Sequence, residues 1–313
     1  MLDLARELDH TGFDIKFYSF IPTSRCIKFG LQKKCIVSLF GIIAPFLILR
    51  RIFPKLSWIH IKVQDFIMGI FMRKCDICIS LTGYVYAPRI AQKKGAIIIM
   101  ERGSKHILEQ KKILEKNPHK KNEAIPNRNI KCNLKAYQFA NFISVASQHV
   151  KESFLLHQYP ENRIFVNPYG VDLSMFKPLP NIPKKYDVIM VGGWGYEKGC
   201  DLIVEAIRKT NYSFIHVGSI KDVDFPQEKN FTHIDPVDQS KLIEYYNQAK
   251  VFILPSRQDG FGMVLSQALA CNLPIIGSNN CGAPDLKKMV ELPEYITIIK
   301  DYTADAIVTA IHT

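Results

Sequence analysis

Asp187-Val188-Ile189-Met190-Val191-Gly192-Gly193-Trp194-Gly195-Tyr196-Glu197-Lys198-Gly199-Cys200 is the stretch that decides the fold. Four apolar residues in a row, with no polar alternation, predict a strand buried on both faces. Such strands belong to parallel sheets covered by helices. The glycine-bearing loop then leads into an amphipathic helix from about Cys200 to Lys209. This strand, loop and helix form the opening unit of an open α/β domain.

Working outward, the same grammar repeats. Downstream, Ser213–Val217, Val251–Leu254, Pro274–Gly277 and Tyr295–Ile299 read as strands. Asp238–Gln248, Val264–Cys271 and a last segment from Ala304 read as helices. Upstream, Phe13–Tyr18, Ile77–Leu81, Ala96–Met100, Ala140–Val145 and Arg163–Val166 read as strands with helical patterns between them. Lys177–Lys185 carries three prolines in nine residues and reads as a linker. The expectation is an α/β fold of two tandem Rossmann-like, doubly wound parallel-sheet domains facing a cleft. They would span 1–178 and 187–313, joined by a linker at 179–186. The chain opens inside a helical pattern, and its last helix runs into the terminus. That predicts a fragment or truncated product, with the first strand missing and the C-terminal domain incomplete.

The composition fits a folded chain: 313 residues, 47% hydrophobic and 22% charged. Wholesale disorder is excluded. The charge is uneven. Residues 1–178 hold 28 Lys and Arg against 13 Asp and Glu, a balance of +15, whereas the whole chain is +12. The basic half points to an anionic partner or to a solvated cationic surface. The longest apolar run, Cys35–Leu49, is flanked by Lys33, Lys34, Arg50, Arg51 and Lys55. It contains Pro45 and falls short of the roughly 20 residues that span a bilayer. It reads either as a buried helix or as a segment lying on an anionic membrane surface. The eight cysteines sit mostly in apolar stretches and suggest a reducing compartment. Cys75-Asp76-Ile77-Cys78 lacks the second pair that a zinc site needs. No signal-peptide pattern, H-E-x-x-H or D-x-D pair dedicated to a metal appears, so no metal or other cofactor is expected.

Two loops of the second half could carry chemistry. In Gly192–Gly199, glycines let amides approach an anion and Lys198 adds a full charge; a tight structural turn fits the same residues. In Pro255-Ser256-Arg257-Gln258-Asp259-Gly260-Phe261-Gly262-Met263-Val264, two glycines precede a helix at the carboxyl end of a strand. Amides there suit a diphosphate, Asp259 suits sugar hydroxyls, and Gln267 suits ribose hydroxyls. In the first half, Met100-Glu101-Arg102-Gly103-Ser104-Lys105-His106 ends a strand. Glu101 and Arg102 suit an acceptor hydroxyl or a leaving phosphate, with Ser104 and His106 as acceptor-side candidates. A helix start with an internal ion pair accounts for these residues equally well.

The order strand, Lys198-Gly199-helix, strand, Asp259-Gly260-Phe261-Gly262-helix resembles the family-four retaining glycosyltransferases of bacterial polysaccharide type. Asn272-Leu273-Pro274-Ile275-Ile276, Cys281-Gly282-Ala283-Pro284-Asp285-Leu286 and the segment from Arg163 through Asn167-Pro168-Tyr169-Gly170-Val171-Asp172 to Phe176 extend the likeness over about 140–300. The resemblance implies two facing Rossmann-like domains, with a nucleotide sugar bound mainly by the second. It places Lys198 on the donor pyrophosphate, Asp259 and Gln267 at two acidic positions, and Gly260, Phe261, Gly262, Met263 and Val264 around the donor sugar and phosphate. Gly193 stands where many members carry a phosphate-binding arginine, Asp259 is one methylene shorter than Glu, and Gln267 is uncharged.

The expected function follows from the resemblance. It is a cytoplasmic retaining glycosyltransferase, peripheral on the inner face of the cell membrane. It would move a sugar from a nucleotide-diphosphate sugar to a saccharide or lipid-linked saccharide in cell-surface polysaccharide synthesis. Asp259, Glu101 and Arg102 are the catalytic candidates. A truncated, non-catalytic paralogue that binds a ligand or partner is the alternative. A nucleic-acid-binding protein is a third reading, but no RNP motif, zinc-finger spacing or basic zipper supports it, so no nucleic-acid partner is expected.

Overall fold

The structure is a computed structural model that describes residues 2–52, 57–119 and 125–312. The chain forms two compact units, residues 1–100 with 131–141, and residues 101–130 with 142–313. Its elements begin with α1 (Leu2–His10), β1 (Phe17–Ser19), α2 (Thr23–Lys28), β2 (Ile36–Ser38), α3 (Phe40–Ile52), α4 (Ser57–Phe71), β3 (Ile77–Leu81) and α5 (Tyr86–Lys93). They continue through β4 (Ile97–Arg102), α6 (Ile107–Leu114), α7 (Asn127–Phe139), β5 (Phe142–Val145), α8 (Gln148–Leu155) and β6 (Ile164–Val166).

In the first unit β1 and β2 pair in parallel, Phe17 opposite Ile36 and Ser19 opposite Ser38. Ala5, Cys26 and Leu31 are buried beside them. The apolar run Cys35–Leu49 is therefore not one helix. Ile36–Ser38 joins a strand and α3 starts only at Phe40, with Pro45 inside it. A short apolar run has no periodicity to separate the two states, and the β1 edge captures the β-branched Ile36 and Val37. Lys55 lies outside the described residues, as do the side chains of Arg50 and Arg51. One buried acid organises the next helices. The Asp65 carboxylate of α4 accepts the amides of Val85, Tyr86 and Ala87 at 2.7–2.8 Å, closing the N-terminus of α5.

The second unit continues with β7 (Tyr186–Val191), α9 (Cys200–Thr210), β8 (Phe214–Val217), β9 (Phe231–Ile234), α10 (Gln239–Asn247), β10 (Ala249–Leu254), α11 (Met263–Ala270), β11 (Ile275–Ser278), α12 (Ala283–Met289), β12 (Ile296–Ile299) and α13 (Ala304–His312). Residues 179–186 fall within this unit. Six strands form a parallel sheet in the order β9-β8-β7-β10-β11-β12. Counted from β7, that is 3-2-1-4-5-6, the doubly wound order of a Rossmann-like domain. Val188, Ile189, Phe214, Phe252 and Ile253 are fully buried in its core, as the continuous apolar runs require. The expected α/β class with parallel sheets is what the chain adopts. Strand β9 is an addition: Phe231-Thr232-His233-Ile234 is half polar and gives no strong strand signal.

Candidate functional site

Strands β7 and β10 are neighbours, with Val188 opposite Val251 and Ile189 opposite Phe252. The chain leaves β7 toward β8 on one side and enters β10 from the other, so the strand order reverses between them. Ligands of open α/β sheets bind at the carboxyl ends of such a pair. The two glycine-bearing loops noted in the sequence are the loops that follow β7 and β10.

The loops are packed on one another. Gly199 has φ +73°, and a Cβ there would lie 2.3 Å from the Pro255 carbonyl oxygen. Only glycine fits both the backbone and the approach. This closure brings the Lys198 ammonium to 2.5 Å from Asp259 Oδ2, each side chain less than one-fifth exposed. Burial alone favours neutral Lys198, but the Asp259 carboxylate, with Glu197, holds the ammonium above the ordinary lysine range. The other cation of the loop, Arg257, is committed. It makes two bonds to Asp201 and lies over the Tyr196 ring at 3.9 Å.

After Asp259 the chain runs through Gly260 and Gly262 into α11. Gly262 precedes the helix with φ +79°, leaving Met263 43% exposed and Val264 half-buried at the first turn. A Cβ at Gly260 would lie 2.0 Å from the Gly103 carbonyl oxygen, so the turn after β4 rests directly on this loop. Phe261 turns inward, edge-on to Tyr169 at 5.8 Å, and contributes only its main chain to the surface. Gln267 is also buried; its amide oxygen accepts the Tyr246 hydroxyl at 2.9 Å.

From the strand end at 101–106, Glu101 and Ser104 stand beside this constellation. Glu101 Oε1 accepts the Tyr169 hydroxyl at 3.2 Å, and its Oε2 is buried with no hydrogen-bond partner among the described residues. The Ser104 amide packs against Gly260. Arg102 folds back, donating to the Lys105 carbonyl and to Gln110. His106 is buried at the start of α6, stacked on His157 at 4.1 Å, and burial pushes its pKa down to about 3. The structure therefore brings together Lys198, Asp259, Gly260, Gly262 and Glu101, and seats His106 and Gln267 in packed interiors.

Several neighbours were not singled out from sequence. His149 Nε2 lies 2.7 Å from the Asp259 carbonyl, and Ser147 donates to the Gly260 carbonyl at 2.5 Å. Burial pushes the His149 pKa down to about 4. Lys105 donates to Asn280, whose carbonyl accepts the Asp259 amide. The signal for Ser147 and His149 was their place just after β5, a carboxyl strand end; for Tyr169, its place within the 167–172 segment. Beside Lys198, a cavity of about 280 Å³ is lined by Gly193, Gly195, Glu197, Lys198, Lys221 and Asp222. The amides of Gly192, Trp194, Gly195 and Tyr196 are taken by Val217, Ser219, Cys200 and Asp222, so it is the ammonium groups and the start of α11 that suit a phosphorylated ligand.

Comparison with known proteins agrees with this geometry. Residues 174–313 match the family described as glycosyl transferases group 1. A probable sucrose-phosphate synthase of Thermosipho melanesiensis is 25% identical over 178 residues, 48% of this chain and 42% of that protein. An uncharacterized 41.2 kDa protein in the cps region of Klebsiella pneumoniae is 30% identical over 140 residues, 40% of this chain and 39% of that protein. The chain thus spans less than half the length of these curated relatives. Among solved structures, Anabaena HepE in complex with UDP and glucose has a TM-score of 0.65 at 12% identity, covering 94% of this chain and 80% of its own. That likeness is one of fold. Over residues 174–313, which hold both glycine-bearing loops and the Lys198–Asp259 pair, the chain is similar to the glycosyl transferases group 1 family.

Proposed function

We propose that this protein is a retaining glycosyltransferase. It moves a sugar from a nucleotide-diphosphate sugar to a saccharide or lipid-linked saccharide, in cell-surface polysaccharide synthesis. The observation that carries the reading is the Lys198–Asp259 pair at the switch point, with the Gly260–Met263 main chain beside it. Lys198 and the amides take the charge that develops on the departing diphosphate. Asp259, freed from Lys198 as the diphosphate takes its place, accepts donor-sugar hydroxyls. Glu101 Oε2, buried without a partner among the described residues, orients the acceptor hydroxyl, and Arg102 holds the 103–105 turn in position. The bond from the anomeric carbon to the diphosphate breaks, the acceptor oxygen bonds to the same face, and the acceptor hydroxyl proton passes to the departing diphosphate oxygen, largely through positioning.

The reading needs no metal or organic cofactor. HepE, similar in fold, was solved with UDP and glucose, and the Klebsiella relative is named for a cps region; both support the donor and pathway assigned here. For the membrane part of the reading, Ile42 and Phe46 of α3 and Ile61, Phe66 and Ile70 of α4 are exposed, and Lys33 and Lys34 are exposed nearby in sequence. Among the described residues no helix is long and apolar enough to cross a membrane. The proposed location is peripheral, on the cytoplasmic face.

The test is a calorimetric screen of UDP-, GDP- and ADP-sugars, followed by transfer to saccharide and lipid-linked acceptors with and without EDTA. The expected result is binding of one donor and EDTA-insensitive transfer. NMR of the product should show the anomeric configuration of the donor. Binding without transfer to any acceptor would favour the non-catalytic reading, and an inverted product would exclude retention.

A further inference from the structure

Gly193 has no side chain, yet the space above it is filled. A Cβ at Gly193 would lie 2.3 Å from Lys221 Cε and 2.8 Å from Lys221 Nζ. Lys221 therefore lies across the glycine loop and lines the same cavity of about 280 Å³ as Lys198. It is held there by the main chain. Trp194 and Ile220 form a parallel bridge, the Trp194 amide donates to Ser219 and the Lys221 amide donates to Trp194. Trp194 is itself fully buried, so the strap has a rigid base. A Cβ at Gly218 would lie 2.0 Å from the Gly192 carbonyl oxygen, so the two loops touch along their length.

The charges of the cavity are arranged unequally. Lys198 is neutralised by Asp259. Asp222 is occupied, accepting the Tyr196 amide at 2.9 Å and Asn117 at 2.7 Å. The Lys221 ammonium makes no ion pair among the described residues. With Glu197 also on the lining, the cavity holds one cation already paired to a carboxylate and a second, Lys221, that is not in an ion pair among the described residues. A diphosphate carries enough charge for both, and each phosphoryl group offers acceptors for an ammonium.

We propose that Lys221 is the second diphosphate-binding cation of the donor site, reaching over Gly193 to the phosphoryl oxygens that Lys198 does not take. This deepens the donor-site reading above and rests on it. Lys221 is a binding residue that the glycine at 193 makes possible, because a side chain there would occupy the path of the lysine stem.

The test is titration of the full chain with UDP, GDP and ADP and with the matching nucleosides. For the diphosphate that binds, Lys221→Gln should weaken affinity about tenfold and leave the nucleoside unchanged. It should also flatten the salt dependence of diphosphate binding, while Lys221→Arg stays within about threefold of wild type. A double variant, Gly193→Arg with Lys221→Ala, returns a cation to the vacated space and should recover much of the affinity lost in Lys221→Ala. Gly193→Arg alone should bind worse than the double variant, because the two side chains compete for one volume. If the wild type binds a diphosphate and Lys221→Gln binds it equally well with the same salt slope, the Lys221 assignment is overturned and the donor-site reading stands. A folded wild type that binds none of the three overturns both.

Discussion

Lys198 and Asp259 pair directly, and the proposed function sets different expectations for the two residues. On the proposed reading, Lys198 meets the diphosphate, whereas Asp259 is released to the sugar as the diphosphate binds. Asp259→Asn should therefore lower kcat at least 100-fold while changing affinity for the bare nucleoside diphosphate much less. Steady-state kinetics with a parallel binding titration checks this, and a variant with full turnover would remove Asp259 from the chemistry. Histidines set the acid limit. Burial holds His106 at about 3 and His149 and His216 at about 4, below the unfolded value near 6.5. Between about pH 6.5 and 4 the unfolded chain binds more protons than the folded one, so stability is complete above the window and falls as pH drops. The slope reaches about 1.4 kcal/mol per pH unit for each histidine. Thermal melts from pH 7.5 to 4.5 should show a steady loss of Tm below pH 6.5; a flat profile would mean these rings are not held neutral.

Among the elements, two short devices place the functional groups. Gly262, at φ +79°, turns the chain from the Asp259 loop into α11, and a Cβ there would meet Leu254, Asp259 and Leu265 within 3.3 Å. Gly262→Ala should cost about 1–2 kcal/mol from the left-handed conformation alone, with weaker diphosphate binding as the loop shifts. Asp65 is the corresponding device in the first unit, one carboxylate serving three amides of α5. Asp65→Ala leaves the buried Ala87 amide and the part-buried amides of Val85 and Tyr86 without their acceptor, and should destabilise the first unit by about 2–4 kcal/mol in denaturant unfolding. Much of the doubly wound pattern was legible in the sequence, because strands such as Val188–Val191 and Ile275–Ile276 are buried on both faces and so read as unbroken apolar runs. Strand β9 was not legible, since Thr232 and His233 make it half polar, and β2 was hidden inside an apolar run that continues as α3. Lys198, Asp259 and the glycines announce themselves by residue type and spacing. Lys221 does not, because the bridge between Trp194 and Ile220 that lays it over Gly193 shows only in the folded backbone. Gln267 shows the converse: its helical spacing suggested a ligand-facing residue, and only packing shows that it is buried and that Tyr246 takes its oxygen.

At the scale of the whole molecule, residues 1–178 carry +15 and the remainder −3, given a total of +12. Exposed Phe66 and Ile70 on α4, with Phe46 on α3, add apolar surface to the basic half. Each lysine or arginine near an anionic leaflet contributes up to about 1 kcal/mol, so the protein should sediment with vesicles containing anionic lipid and be released by high salt. Replacing Lys33, Lys34, Arg50 and Arg51 with Gln should weaken that binding, whereas indifference of the folded protein to anionic vesicles at low salt would assign the basic half to another partner. The central claim concerns the other half: a nucleotide diphosphate binds where β7 and β10 diverge, with its phosphates on Lys198. Calorimetric titration of wild type and Lys198→Ala with UDP, GDP and ADP, each beside its nucleoside, tests it most directly. The account predicts that Lys198→Ala weakens the preferred diphosphate by about tenfold to a hundredfold and leaves the nucleoside unaffected. Equal losses for diphosphate and nucleoside, or no diphosphate binding by the wild type, would contradict it.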